Sequence, residues 1–257
     1  VMFLSIISGC TFFENKDQIK KLSNNDFREI INNFSMAIKR NSQNFSFYLE
    51  RGRARHDYGD FKRAIVDFNY SLRLNPNPKI IFYRANSKYA YGDYKGAIKD
   101  FEQLISKKFF QNQVFYKNGS SHLILLNYLD AIKNYTEYIK YDKDEANAYL
   151  NRGDAKFKLG DYVGSIKDYK KSVQINKKSY VAFNNMGVSK FNLKEYRNAL
   201  KDFKKSLDLN NYNYNTFYNK AMAHYKLKEI KKACIDLKKS IRLGKEIFED
   251  EYSKICF

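Results

Sequence analysis

Tryptophan is absent from the 257 residues, and only 2 prolines and 3 cysteines occur. Scarce proline removes the commonest interruption of a helix, so long unbroken helices are open to this chain. The cysteines, Cys10, Cys234 and Cys256, lack the spacing of a metal site, and three of them cannot all pair within one chain. Past Cys10 there is no run of 18 or more apolar residues, so no segment there reads as a membrane-spanning helix. A Gly-rich phosphate loop and a nucleophile motif are missing as well. The three histidines, His56, His122 and His224, lie far apart in the chain. No catalytic residue, metal or cofactor is therefore expected. Acidic residues are the minority: the formal net charge is +19. That balance suits an acidic protein, nucleic acid or an anionic membrane surface without choosing among them. With 44% hydrophobic residues the chain has enough apolar material to fold. Its wealth of Lys, Asn, Ile, Tyr and Phe points to an AT-rich bacterial genome.

What the sequence does have is a register. Gly52, Ala85, Gly119, Gly153, Gly187 and Ala221 recur at steps of 33 or 34. A second small-residue series, Ala64, Ala97, Ala131, Ser165, Ala199 and Ala233, runs in parallel. Four residues after each of these comes Phe68, Phe101, Tyr135, Tyr169, Phe203 or Leu237. A fixed period near 34 is the mark of a helix-turn-helix repeat array. In the repeat from Ala146 to Ser179, a first helix is predicted over 146–159. Gly160 supplies a left-handed C-terminus, Asp161 an N-cap, and a second helix follows over 162–175. The turn recurs as Gly59-Asp60-Phe61 and Gly92-Asp93-Tyr94. It weakens to Leu126-Asn127-Tyr128, Lys194-Glu195-Tyr196 and Lys228-Glu229-Ile230.

These registers resemble the tetratricopeptide repeat (TPR) family. The large residue that opens helix A in that family corresponds to Tyr48, Ile81, Phe115, Tyr149, Phe183 and Phe217. The family proline after helix B is present only as Pro76. The resemblance implies an all-α fold, a right-handed α-solenoid of helix-turn-helix repeats, in which helix A lines an inner groove. Six repeats are expected over 45–245. Residues 11–44 read as a degenerate N-terminal repeat, since Asn25-Asp26-Phe27, Ile30, Phe34 and Ala37 match a second helix. Residues 246–257 read as a C-terminal capping helix, with Ile247, Tyr252 and Ile255 available to cover the last repeat.

One departure from the family pattern stands out. Arg51, Arg84, Asn118, Arg152, Met186 and Lys220 occupy the place usually held by leucine in helix A. Arg55, Lys88, His122, Lys156, Lys190 and His224 follow four residues on. Helix B carries Asp67, Asp100, Asn134, Asp168, Asp202 and Asp236. Because Asn118 is matched by Asn134, a cation of helix A is expected to pair with a carboxylate of helix B. Met186 opposite Asp202 breaks the pattern. An anion-binding basic stripe is the alternative.

By resemblance, a peptide-binding groove would be lined by Leu49, Arg53, Phe82, Asn86, Tyr116, Ser120, Leu150, Asp154, Asn184, Val188, Tyr218 and Met222. One turn further on lie His56, Tyr89, Leu123, Phe157, Phe191 and Tyr225. This mixture of aromatic and amide side chains suits an extended peptide, although the aromatics would equally pack the array or hold the chain's own ends. The family's carboxylate clamp is not expected, because Leu49, Phe82, Tyr116 and Leu150 stand at its lysine places. A basic outer patch is expected from Lys170, Lys171, Lys204, Lys205, Lys238 and Lys239, either as a solvated face or as a contact for a polyanion or anionic lipid.

Residues 1–10 form an apolar run ending in small residues, like the end of a secretory signal. Ile7-Ser8-Gly9-Cys10 resembles a bacterial lipobox, which makes Cys10 a lipidation candidate. No Lys or Arg precedes the run, and the alternative is an apolar strand or helix end packing on the array. Cys234 occupies a slot held elsewhere by Ile65, Ile98, Ile132, Ile166 and Leu200, so it reads first as a core hydrophobe. A bridge to Cys256 stays open if the compartment is oxidising. The reading that follows is a non-enzymatic scaffold, lipid-anchored in a bacterial envelope, that binds a protein or peptide partner and helps assemble a complex. A cytoplasmic adaptor is the second reading. A polyanion binder, of RNA or an anionic surface, ranks last because the lysine pairs are not interleaved with stacking aromatics.

Overall fold

The computed structural model describes residues 22–246 and 249–256. Among them all regular structure is helical: α1 (Asn24–Arg40), α2 (Phe45–Asp57), α3 (Phe61–Leu74), α4 (Pro78–Tyr91), α5 (Tyr94–Ser106), α6 (Gln111–Ile124), α7 (Tyr128–Tyr141), α8 (Ala146–Lys158), α9 (Tyr162–Ile175), α10 (Tyr180–Asn192), α11 (Tyr196–Leu209), α12 (Tyr214–Lys226), α13 (Ile230–Arg242) and α14 (Glu249–Cys256). No helix among the described residues is long and apolar enough to cross a membrane. The chain divides into two compact units at Leu125 and Leu126. The first contains α1–α6 and the second α7–α14. The expected Cys10 lipidation site and residues 1–21 as a whole lie outside the described residues, as does Ile247.

Within each unit successive helices pack as antiparallel hairpins, and the registers found in the sequence meet face to face. A Cβ placed on Gly153 would lie 2.7 Å from the Tyr169 ring; on Gly52 it would lie 2.7 Å from Phe68, and on Gly187 2.6 Å from Phe203. Small residues in helix A therefore let the ring of helix B, sixteen positions on, lie against the backbone. Phe68, Phe101, Tyr135, Tyr169, Phe203 and Leu237 are at most 1% exposed. Burial on that scale contributes roughly 1.5–3 kcal/mol per side chain. Buried serines add a polar tie: Ser71, Ser206 and Ser240 donate to the carbonyls of Phe45, Tyr180 and Tyr214 at the start of the paired helix.

The interhelical turn has one geometry irrespective of its residues. Gly59, Gly92 and Gly160 take φ of +91°, +90° and +81°. Leu126, Lys194 and Lys228 take φ of +62°, +63° and +60° at the same step, in a region disfavoured for side-chain-bearing residues. Asp60, Asp93 and Asp161 cap the following helix by accepting from the amides of Arg63, Gly96 and Gly164. Glu195 and Glu229 make no such side-chain bond.

Each unit also has an end that is not a repeated hairpin. α1 opens with a capping box in which Ser23 and Asp26 bond reciprocally. It buries Phe27, Ile30 and Phe34 against Ala54. At the other end α14 buries Ile255 (4% exposed) against Ala221, Ala233 and Leu237, with Tyr252 alongside. Cys234 is more than the core hydrophobe its register suggests: it is joined to Cys256 in a disulfide, Cα–Cα 5.1 Å, which ties α14 to α13.

Candidate functional site

The polar ladder is the first arrangement that the helices build. In the first unit the Arg51 guanidinium reaches Asp67 at 2.7 Å, and Arg55 reaches the same carboxylate at 2.7 Å. Arg84 and Lys88 hold Asp100 at 2.6 and 2.8 Å. In the second unit Arg152 and Lys156 hold Asp168 at 2.6 and 2.8 Å, and Lys220 holds Asp236 at 2.9 Å with His224 Nε2 at 3.6 Å. Both cation registers of helix A thus converge on one buried aspartate of helix B. The pairing expected for the first register is present, and the second register joins it. At Met186 the first cation is missing, so Asp202 keeps Lys190 alone at 2.6 Å. Burial pushes the Asp202 carboxyl above its ordinary range, and Lys190, with weaker pulls from Lys205 and Lys201, only partly offsets this.

The arginines do more than neutralise. A second nitrogen of Arg51 donates to Ser35 at 3.1 Å, of Arg84 to Asn69 at 2.8 Å, and of Arg152 to Thr136 at 3.1 Å. Each acceptor lies on the helix that precedes the arginine's own hairpin, so one guanidinium ties three helices. At the same register Met186 and Lys220 are preceded by Lys170 and Lys204. The lysine series in the last repeats begins where the arginine that would need a neutral acceptor is gone. Lys170, Lys204, Lys205, Lys238 and Lys239 are exposed and Lys171 is half-buried. Lys205 also lies over the Phe183 ring at 5.6 Å.

The expected groove residues fall into two kinds. In the first unit Leu49, Arg53, Asn86 and Ser120 are buried, and Phe82 and Tyr116 are half-buried. Leu49 packs in a core cluster with Phe68 and Ile80. Arg53 pairs with Glu50 at 3.2 Å and lies 4.9 Å from the Tyr83 ring centre. In the second unit Leu150, Asp154, Asn184, Val188, Tyr218 and Met222 are all half-buried, as are Phe157, Phe191 and Tyr225 one turn on. The difference between the units lies in the register of Arg53, Asn86 and Ser120, buried in the first unit, against Asp154, Val188 and Met222, half-buried in the second; His56, Tyr89 and Leu123 are half-buried like Phe157, Phe191 and Tyr225.

Neighbouring A helices are stitched by side chains of this face. His56 Nδ1 meets Ser87 Oγ at 2.7 Å, and Lys117 donates to Asn86 at 2.5 Å. Asn185 donates to Asp154 at 3.0 Å, and Asn219 and Thr216 donate to Asn184 at 3.0 and 3.1 Å. Tyr169 also donates to Asp154 at 2.7 Å. Burial raises the Asp154 carboxyl, against the pull of these two donors, and holds the Tyr169 hydroxyl protonated far above its ordinary range. Sequence reasoning missed Lys117, Asn151, Asn185 and Asn219, although they recur at a step of 34 one residue after the chosen series. His56 is driven down to about 4, first by burial and then by the Lys117 charge. Among the described residues no group of three or more His, Cys, Asp and Glu side chains is placed to hold a metal ion.

Repeated hairpins with close-packed small residues, left-handed turns and a helix-A face define a tetratricopeptide repeat protein. The chain belongs to that family. Sequence profiles described as tetratricopeptide repeat match residues 116–179, and again 180–213 and 214–244, together about half of the chain. No curated protein matches the sequence. Solved structures share the fold. The C-terminal part of a TPR repeat-containing protein from Cytophaga hutchinsonii superposes with a TM-score of 0.72 at 14% identity, covering 86% of this chain and 92% of that one. YrrB, described as a TPR protein with an unusual peptide-binding site, gives 0.64 at 17% identity, covering 76% and 97%. MamA from Desulfovibrio magneticus gives 0.62 at 16% identity, covering 66% and 96%. Proteins built from these repeats bind protein or peptide partners, and the chain is a protein–protein interaction scaffold.

Proposed function

We propose that this scaffold binds an extended segment of another envelope protein on the helix-A face of its second unit, and that it is tethered to a bacterial membrane through a lipid on Cys10. The observation that carries the binding reading is the half-buried row Leu150, Asn184, Val188, Phe191, Tyr218 and Met222, in which Val188 and Met222 stand where the first unit has the buried Arg53, Asn86 and Ser120. Aromatic and thioether surface supplies contact area, and amides bond a peptide backbone. A peptide-binding site on a protein of the same fold, YrrB, is in keeping with this. The envelope reading is supported by Ile7-Ser8-Gly9-Cys10 and by the Cys234–Cys256 disulfide, a bond that persists in oxidising compartments.

Two experiments in the native host test the two halves. A photoreactive phenylalanine analogue at position 218 should give a discrete crosslinked product, whereas one at the exposed Lys201 should not. Equal products from both positions, or none from 218, would sink the binding reading. Fatty-acid labelling should occur in the full chain and vanish in Cys10→Ala. Absence of label in both would move the array off the membrane and favour the soluble adaptor.

A further inference from the structure

The outward sides of α9, α11 and α13 carry one sign of charge. Two exposed lysines or arginines stand on α9, four on α11 and five on α13, and Asp208 is the one exposed acid of the three helices. Their other aspartates, Asp168, Asp202 and Asp236, are buried in the ladder. On α11, Ala199, Phe203 and Ser206 turn inward, and Lys201, Lys204 and Lys205 turn to solvent. Among the described side chains, only Lys232 of these eleven cations has a carboxylate within ion-pair distance, Glu229 at 3.2 Å. By contrast α3 exposes three cations, α5 two and α7 two, and Glu102 and Asp130 stand among them. Like charges on neighbouring helices repel, and a polyanion relieves that repulsion.

What lies between the cations selects the polyanion. Val163 is 55% exposed one turn before Lys167, and Ile235 is 67% exposed one turn after Lys231 and one before Lys239. Beside Ile235 opens a hollow of about 460 Å³ lined by Phe217, Ile235, Lys238, Lys239 and Arg242; its one acid, Asp236, is already held by Lys220. No aromatic ring of the three helices is exposed, so unpaired bases find no stacking platform there. Nine of the eleven cations are lysine, a point charge without the fork that a built phosphate site uses. Lysine stems beside aliphatic side chains suit anionic headgroups lying over hydrocarbon.

We propose that the outer face of α9, α11 and α13 docks on an anionic lipid bilayer, with Ile235 at the headgroup boundary and the lysines around it. This contact is separate from the lipid on Cys10 and from the helix-A row, and rests on neither. A bilayer is not a protein partner, so no crosslinked protein is expected at Lys201 of this face.

The test uses the full chain carrying Cys10→Ala, which removes any lipid on that residue. Its probes are vesicles of phosphatidylcholine, with and without about one-third phosphatidylglycerol. Cosedimentation should show binding to the anionic vesicles alone, weakening by at least about tenfold between roughly 50 and 200 mM salt. Lys204→Gln, Lys205→Gln, Lys238→Gln and Lys239→Gln together should weaken it by about thirtyfold or more. The same charge removed from exposed sites of the first unit, by Lys62→Gln, Lys95→Gln, Lys99→Gln and Lys107→Gln, should cost no more than about threefold. Equal losses in the two variants mean that net charge alone binds, and overturn the docking face. The chain lacks tryptophan, so Ile235→Trp supplies a single reporter. Its emission should move to shorter wavelength with the anionic vesicles, while that of Val66→Trp, at the same register of the first unit, should not. This reporter decides even where the fourfold variant does not fold. No shift at 235, or a shift at both positions, overturns the proposal. Tighter binding of a mixed-sequence single-stranded RNA than of the vesicles, at equal ionic strength, overturns the lipid assignment.

Discussion

The guanidinium of Arg152 holds both carboxylate oxygens of Asp168, at 2.6 and 2.9 Å, and Lys156, one helical turn on, reaches the same carboxylate at 2.8 Å. The aspartate side chain is 5% exposed and the cations 15% and 21%. Removing the anion leaves two partly desolvated cations facing each other. Asp168→Ala should therefore cost about 3–5 kcal/mol of stability. Chemical denaturation measures it, with Asp142→Ala, an exposed carboxylate in a loop, as the control. An unchanged midpoint for Asp168→Ala would show that the ladder is a by-product of packing.

The turn between α10 and α11 lacks both devices that its counterpart between α8 and α9 has. Lys194 takes the left-handed conformation that Gly160 takes, and its backbone makes the same bonds. Lys194 N donates to Phe191 O at 2.9 Å, as Gly160 N does to Phe157 O at 3.0 Å. Glu195 stands where Asp161 caps. Lys194→Gly should stabilise by about 1 kcal/mol, from relief of the left-handed strain. Adding Glu195→Asp should contribute roughly another 0.5–1 kcal/mol through the missing cap. Thermal unfolding of the single and double variants checks both. A loss of stability in Lys194→Gly would mean that the lysine side chain holds something the turn geometry does not show.

His56 gives the first unit an acid-sensitive point. Its folded pKa, about 4, lies below the ordinary 6.5, because burial and then Lys117 disfavour the imidazolium. A depressed pKa stabilises the fold fully above the ordinary value, and that contribution is lost as pH falls through the folded one. Between pH 6.5 and 4 the wild type should thus lose about 3 kcal/mol more than His56→Gln, at roughly 1.4 kcal/mol per pH unit. Paired denaturation curves at pH 7 and pH 4 measure the difference. Parallel losses in the two proteins would place the acid sensitivity elsewhere.

How far the sequence could be read follows from what each feature depends on. The hairpins were legible because glycine and ring registers are two halves of one contact, as Gly153 against Tyr169 shows. The turn at Lys194 was half legible: its position follows from the register, but its left-handed geometry is imposed by the hairpins on a residue that disfavours it. The second cation row was visible as a series, yet only geometry shows that Lys156 shares Asp168 with Arg152. The accessible side chains were least legible. A step of 34 selects Leu49 and Leu150 alike, although one is buried and the other half-buried, since exposure depends on what the neighbouring side chains fill. The division at Leu125 leaves no mark, because the repeat step runs through it unchanged.

The broken rung at Met186 should be repairable, but only together with Lys170. In the intact rungs one arginine grips the aspartate of its own hairpin and donates to a neutral acceptor of the preceding one, as Arg152 does to Asp168 and Thr136. Position 170 is the register equivalent of Thr136, and a lysine there would repel an arginine placed at 186. Met186→Arg alone should change stability by no more than about 0.5 kcal/mol, since the attraction of Asp202 is offset by Lys170. Lys170→Thr alone, at an exposed site, should be similarly small. The double variant should gain about 1–2 kcal/mol beyond the sum of the two. Its second cation should also bring the raised Asp202 carboxyl back down, which carboxyl-carbon NMR titration would follow. The destabilisation that this aspartate now contributes above its raised pKa would then be relieved at neutral pH. Additive single variants would mean that the three-helix link seen at Arg152 carries no energy of its own, and that the shared spacing of Lys170 and Met186 is coincidence.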